Sequence, residues 1–545
     1  MPALPGHRTP LLLELDLTQP LAHPDADDPL ARLRTRTQRQ LRPTLRALHE
    51  AGADCRVVGL VAKVGGMLPW AMMQELRQGV VAFAGSGKPT VAWAETFGEV
   101  AGTAGYVLAT AFDEIWLQPG GGVGLIGVGS ETTFLGGTFA KLGVQPEFEQ
   151  RHEYKNAVDT FTRTSFTEPH REAMEQLTGS VFAEAVERVA EGRGLTADRV
   201  RTLVDSSPRT APEALTAGLV DRLGYRDEVY DAVREQVGGK VELLFADRWT
   251  PRSRPRLRRP HRDRVALVEA RGSIGSGRTR RGMGGRQLGS DSVTAELRAV
   301  LADEHARALV LHVDSPGGSA VASEAIWREV CRVRDSGRPV VVSMGELAAS
   351  GGYYIACPAD VIVAQPATLT GSIGVFGGKF VIRDLLERAG VGTGSVEQGA
   401  HALMFSDRRG FAEDERERLA ASVDAIYDDF VGKVAAGRGR PVDEIEPLAR
   451  GRVWSGRDAL ERGLVDQLGG LHDAVRVARE RAGLPDDAPV TPAVKVTPLS
   501  RLGKPQNSED PRAVTSAGWP DLGQLVAALG LPTGAELQMP RITLR

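Results

Sequence analysis

The stretch LRAVLADEHARALVLHVDSPGG, residues 297–318, ends a β-branched apolar run on a glycine pair. An earlier stretch, LRALHEAGADCRVVGLVAKVGG at 45–66, has the same shape. Leu45 aligns with Leu297, Val57 with Leu309, and Gly65 and Gly66 with Gly317 and Gly318. The likeness continues outward. GSGKPTVAWAETFGEVAGTAGYVLATAFDEI (85–115) pairs with DSGRPVVVSMGELAASGGYYIACPADVI (335–362), setting Tyr106 on Tyr353 and Asp113 on Asp360. EALTAGLVDRLG (213–224) matches DALERGLVDQLG (458–469). One order of motifs, met twice with small changes of spacing, is a tandem duplication.

Each copy alternates strand and helix. RALVLHVD (307–314) and RPVVVSM (338–344) are short apolar runs of the kind buried in a parallel sheet. Between them, Ile326, Val330 and Val333 share one helical face, and Gly337 follows as a stop. Strand, helix, strand is a βαβ unit. Met174, Leu177, Val181, Ala185 and Val189 show helical spacing in 169–194, as does the counterpart at 413–439. The predicted fold is therefore α/β, two βαβ-built domains in tandem with parallel or mixed sheets. The first copy is assigned to 1–245, an Arg/Pro-rich linker to 246–264, the second copy to 265–485 and a weakly ordered tail to 486–545, with one short helix near LGQLVAALG (522–530).

Bulk properties exclude several classes. With 545 residues, 42% hydrophobic and 25% charged, the chain is an ordinary globular one with room for two domains. A formal net charge of −3 gives no global reason to bind nucleic acid, and the arginine-rich linker has Trp249 as its one aromatic. Cys55, Cys331 and Cys357 make no C-x-x-C pair, so they read as small buried hydrophobes rather than metal ligands or disulfides. Leu11–Leu13 is interrupted at once by Glu14 and Asp16, so no secretory signal is read, and no window offers about 20 apolar residues to span a bilayer. The expectation is a cytoplasmic or peripheral-membrane chain.

GGVGLIG (121–127) contains G-x-G-x-x-G, but it lies late in its copy and its mate GSIGVFG (371–377) breaks the pattern. GSGKP (85–89) lacks the rest of a P-loop and reads as a turn. No cofactor or metal is predicted. DSPGG (314–318) is more informative, because glycines after a buried strand let backbone N–H groups approach a ligand closely. Gly318 can supply one oxyanion donor, and Gly351, directly after Ser350 in GELAASGGYY (345–354), a second.

Where the second copy has Ser350, the first has Thr103. A serine nucleophile needs a base, and none of the ten histidines falls in a repeat-matched loop near these glycines. A lysine serves if burial lowers its pKa from about 10.4 towards neutrality, a desolvation effect of about 4 kcal/mol. Lys155, in EFEQRHEYKNAVDTFT (147–162), has no lysine counterpart in SVEQGAHALMFSD (395–407). Each copy thus carries half a site, although a surface loop charge accounts for Lys155 from the local string alone.

DSPGGS, GELAASGGYY, TLTGSIGVFG and EYKNAV, in a tandem α/β chain, resemble the long form of signal peptide peptidase A over roughly residues 10–485. The resemblance implies a fold related to the Clp protease subunit and the crotonases. It implies a serine endopeptidase that degrades released signal peptides and other apolar peptides. It places the nucleophile on Ser350, the general base on Lys155, a serine that orients the lysine on Ser372, and oxyanion donors on Gly318 and Gly351. It further implies a ring-like homotetramer, and peptides rather than nucleic acid as partners. Against the pattern, no N-terminal transmembrane segment is expected from the residues given, and KVGG (63–66) stands for the usual SPGG. Two other readings stand beside it: a crotonase-like acyl-CoA enzyme, and a non-catalytic membrane-associated scaffold of the same fold.

Overall fold

The computed structural model describes residues 9–19, 21–22, 38–98, 102–251, 263–282 and 285–494, with short stretches beyond, among them 514–515 and 536–539. Most of the Arg/Pro-rich linker and the helix expected at 522–530 lie outside the described residues. The structure divides into two compact units. One draws on Met1–Gly129 and Gly179–Pro260, the other on Ser130–Thr178 and His261–Thr543.

The first unit holds a sheet of six strands in the order Arg222–Leu223, Glu114–Leu117, Thr90–Ala94, Val57–Val64, Leu11–Leu17, Glu242–Phe245, with every neighbouring pair parallel. Trp249 of the expected linker is buried in this unit and donates its indole N–H to Asp54 at 3.2 Å. Cys55 is exposed, against the expectation of three buried thiols, while Cys331 and Cys357 are buried.

The second unit is built on a larger sheet. Its main path runs Val453–Ser455, Leu369–Gly371, Val340–Ala349, Ala306–Ser315, Arg264–Arg271, Val490–Pro492. All of these neighbours are parallel except the antiparallel pair of Val453–Ser455 with Leu369–Gly371. The central strands are apolar on both faces because both are covered. Leu309, Leu311 and Val313 pack with Ile326, Val330 and Phe430 on one side. Ala308 and Val310 pack with Val477 and Ala478 on the other. The helix Ala320–Asp335 carries the predicted face, and the Ser319 side chain caps it by accepting from the Ala322 N–H.

The duplication is visible bond by bond. In the first unit, the Tyr106 hydroxyl donates to the Leu219 carbonyl at 2.6 Å; in the second, Tyr353 donates to Leu464 at 2.7 Å. Arg193 pairs with Asp221, and Arg438 with Asp466. Asp221 accepts from the Ile115 N–H, and Asp466 from the Ile362 N–H, each at 2.7 Å. These are frame contacts, tying the helix after the turn to the sheet in each copy.

A second sheet in the second unit changes how the copies divide. By sequence, Ser130–Thr178 belongs to the first copy; by packing, it belongs to the unit that holds the second. The reason is strand pairing. Gln145–Arg151 runs antiparallel to Val375–Val381 with seven residue pairs in register, from Gln145 opposite Val381 to Arg151 opposite Val375. Phe148 of one strand meets Phe376 and Phe380 of the other edge on. Two short strands, Val514–Thr515 and Glu536–Gln538, also join this sheet from the segment read as a weakly ordered tail.

Leu309 sits fully buried in a central strand. Replacing it by alanine should destabilise the second unit by about 2–5 kcal/mol. Urea unfolding followed by tryptophan fluorescence would show the unit's transition moved to lower denaturant.

Candidate active site

Ser350 lies where the strand Val340–Ala349 turns into the short helix Gly351–Ala356. Its backbone has φ 55° and ψ −115°, a conformation that costs a non-glycine residue of order 1–3 kcal/mol. Two bonds hold the turn in place. The Ser350 N–H donates to the Gly371 carbonyl, and the Tyr354 N–H donates to the Ser350 carbonyl, both at 2.8 Å.

Lys155 arrives from the loop after the Gln145–Arg151 strand. Its Nζ is 2.8 Å from Ser350 Oγ, 3.1 Å from Ser372 Oγ and 3.1 Å from the Ser372 carbonyl oxygen. Lys155, Ser350 and Ser372 all have 0% exposure. Burial is the one cause acting on the Lys155 amine, and it pushes the pKa well below the usual lysine range. Ser350 Oγ also reaches the Gly374 carbonyl at 3.4 Å. In the first copy, the Thr103 hydroxyl is tied to the Gly127 carbonyl at 2.9 Å. A hydroxyl bonded to a glycine carbonyl is thus common to both copies, and a lysine amine beside that hydroxyl is found at Ser350.

The lysine loop is held by residues with no motif to announce them. The Tyr154 N–H donates to the Arg450 carbonyl at 3.2 Å, and Arg450 pairs with Glu153 at 2.8 Å. Gly451 has φ 83°, and a Cβ there would stand 2.5–2.6 Å from the Lys155 backbone N, Cα and Cβ. The Gly451 N–H donates to the Ile373 carbonyl, and the Ser372 N–H to the Arg452 carbonyl. One glycine therefore lets segment 450–452 lie against both Lys155 and Ser372. The one sequence signal available was that Ser206 of SSPRT (206–210) stands in the first copy where the second has Gly451 of GRVWS (451–455).

Gly318 and Gly351 are brought together. A Cβ on Gly351 would lie 3.2 Å from the Gly318 nitrogen. One on Gly318 would lie 2.1 Å from the Ile274 carbonyl oxygen, so only glycine fits that close approach. All five residues singled out in the sequence thus converge on one buried locus within the second unit.

"Peptidase family S49" matches residues 82–240 and 332–485, one stretch in each copy and more than half of the chain. The chain belongs to peptidase family S49. Among relatives, "Serine protease SPPA, chloroplastic" of Arabidopsis thaliana is 30% identical, covering 84% of this chain and 67% of that protein. "Protease 4" of Salmonella typhi is 33% identical, covering 80% of this chain and 71% of that one. A ClpP1 mutant from Listeria monocytogenes has 15% sequence identity and a TM-score of 0.26, covering 38% of this chain and 94% of that chain. S49 membership makes the protein a protease, built as a tandem α/β chain. Among the described residues no helix is long and apolar enough to cross a membrane.

Burial of Lys155 has a stability consequence with a definite sign. Its folded pKa lies below its unfolded value of about 10.4, so between the two the unfolded chain binds the extra proton. The amine therefore contributes stability that rises with pH across that window and is lost as pH falls through the folded pKa. Unfolding free energies measured from pH 7 to pH 10 should show wild type gaining on Lys155→Met as pH rises, the difference levelling near the unfolded pKa.

Proposed function

We propose that this S49 protease is a serine endopeptidase working through a Ser350–Lys155 dyad, with its lysine from the first sequence copy (1–245) and its serine from the second (265–485). The observation that carries the reading is the 2.8 Å approach of a fully buried lysine amine to the hydroxyl of a strained strand-to-helix serine. A neutral amine has two N–H groups and one lone pair. The Ser372 carbonyl and Ser372 Oγ account for two N–H bonds, which leaves the lone pair for the Ser350 hydroxyl proton. Ser372 is thus the positioning residue that fixes the amine's orientation.

In the first step Ser350 Oγ attacks the scissile carbonyl carbon while its proton passes to Lys155 Nζ. The carbonyl oxygen becomes an oxyanion, stabilised by the N–H groups of Gly318 and Gly351. Collapse breaks the C–N bond, and the Lys155 ammonium returns the proton to the leaving amine. Water then attacks the acyl-enzyme as Lys155 takes its proton, and collapse breaks the ester C–O bond while the lysine returns that proton to Ser350 Oγ, freeing the carboxylic acid product. Burial serves the chemistry directly, because an exposed lysine at neutral pH carries a proton where the mechanism needs a lone pair. The substrate class, released signal peptides and other apolar peptides, rests on the resemblance to signal peptide peptidase A. So does the homotetramer, while a cytoplasmic or peripheral-membrane location rests on the hydropathy of the chain alone.

Ser350→Ala and Lys155→Met should each reduce cleavage of an apolar peptide by at least ~10³-fold without changing the oligomer. Ser372→Ala should slow it by about 10-fold, the effect of one lost charge-orienting hydrogen bond. In wild type, kcat/KM should rise with pH through the lowered Lys155 pKa, since the base works only when unprotonated. A serine-reactive acylating probe should label Ser350. Absence of labelling together with absence of peptide turnover would instead favour acyl-CoA chemistry or a non-catalytic scaffold.

A further inference from the structure

The short helix Gly351–Ala356 carries a tyrosine whose phenol is gripped by charged groups. Tyr354 is 2% exposed. Its hydroxyl donates to Asp429 Oδ2 at 2.7 Å and has Glu324 Oε2 as a further acceptor. Lys433 Nζ binds the same two carboxylates, reaching Asp429 Oδ1 at 2.6 Å and also Glu324 Oε2, and it stands 4.6 Å from the Trp327 ring centroid. Glu324 belongs to the helix Ala320–Asp335, and Asp429 and Lys433 to the helix Glu413–Arg438. One phenol therefore ties the short helix to two long ones. Burial first, and then both carboxylates, push the phenol's pKa up, so it stays a proton donor. The ring packs on Phe430, with centroids 4.8 Å apart.

The repeat isolates what is particular to this copy. Glu184 and Arg188 of the first copy form the ion pair matching Asp429 and Lys433, at 2.8 Å and with the same four-residue spacing. Val107 stands where the second copy has Tyr354, so the first copy has no hydroxyl at that position. The ion pair belongs to the common frame, and the phenol to the copy that holds the serine.

Tyr354 in turn holds one peptide plane. Its backbone N–H donates to the Ser350 carbonyl at 2.8 Å. That carbonyl and the Gly351 N–H are the two ends of one peptide unit, and in a trans peptide they point opposite ways. Pinning the carbonyl end therefore aims the N–H. The plane before it is fixed as well, by the Ser350 N–H bond to the Gly371 carbonyl.

We propose that Tyr354 is the positioning residue of the oxyanion site: its phenol, held by Glu324, Asp429 and Lys433, sets the backbone N–H that pins the Ser350 carbonyl and so turns the Gly351 N–H toward the substrate oxygen. The inference deepens the reading of Ser350 as nucleophile and Gly351 as oxyanion donor, and rests on it. Ser372 orients the base, whereas Tyr354 orients a donor that matters once negative charge develops. Loss of the phenol therefore weakens the transition state and spares ground-state binding and the titration of Lys155.

The test compares the full-length chain with Tyr354→Phe, which keeps the ring against Phe430 and removes the hydroxyl. For an apolar peptide, kcat should fall about 10-fold with KM unchanged, less than the roughly 10²–10³-fold that follows outright loss of an oxyanion donor. The pH midpoint of kcat/KM should stay in place. An apolar peptide aldehyde, whose adduct with Ser350 puts an oxygen in the oxyanion position, should bind about 10-fold more weakly, while the matching peptide alcohol binds as before. Glu324→Gln, which leaves the phenol its acceptors, should keep kcat within about twofold. Unchanged kcat in Tyr354→Phe, or an alcohol weakened as much as the aldehyde, overturns the proposal. Hydrogen exchange at the Tyr354 amide gives a reading that needs no turnover: it should be about tenfold faster in Tyr354→Phe, and unchanged exchange overturns the anchoring. Faster exchange in a protein whose wild type cleaves no peptide supports the anchoring and puts the failure on the dyad.

Discussion

Everything distinctive in this molecule depends on burying one lysine amine. Lys155 Nζ has no exposed surface, and its three oxygen neighbours come from Ser350 and Ser372. An ammonium in such a place would lose its hydration, so the neutral form is favoured and the lone pair becomes available. The arrangement is demanding because a long flexible side chain must end within hydrogen-bond reach of a serine whose own backbone is strained. The structure meets the demand with a rigid approach. The Gln145–Arg151 strand is pinned to Val375–Val381, and the loop beyond it is clamped by the Arg450–Glu153 pair and by the backbone at Gly451.

The duplicated chain has divided its labour. The bonds that build the frame occur in both copies, as the tyrosine hydroxyls of Tyr106 and Tyr353 and the Arg193–Asp221 and Arg438–Asp466 pairs show. The residues of the site do not. Thr103 keeps a hydroxyl bonded to a glycine carbonyl but has lysine neither in its loop sequence nor in its bonding. The second copy has Ser350, the close glycines and Ser372, whose two oxygens lie 3.1 Å from Lys155 Nζ. The first contributes the lysine by giving up a segment, Ser130–Thr178, to the other compact unit. The lysine of one sequence copy and the serine of the other thus meet at a single buried locus, in a chain of peptidase family S49.

Much of this was legible before any coordinates. The repeat gave the tandem α/β fold because buried parallel strands read as apolar runs, and Val340, Val341 and Val342 are indeed fully buried. Lys155 and Ser350 emerged by subtracting one copy from the other, and Ser372 through the resemblance. Three features stayed hidden for physical reasons. The transfer of Ser130–Thr178 depends on a strand pairing across more than 200 residues of sequence, which local pattern cannot show. Gly451 matters through a close backbone approach to Lys155, and a glycine in GRVWS looks like any turn glycine. The strand Glu536–Gln538 is too short to carry a period and owes its form to the edges it fills.

The most direct measurement is the protonation state of the Lys155 amine itself, read as the ¹⁵Nζ chemical shift of the folded protein across a pH titration. The account predicts a neutral-amine signal for Lys155 that titrates well below the other lysines and moves when Ser372 is replaced by alanine. An ammonium signal that persists for Lys155 up to the ordinary lysine range of about pH 10.4 would contradict it, because the group would then have no lone pair to offer Ser350.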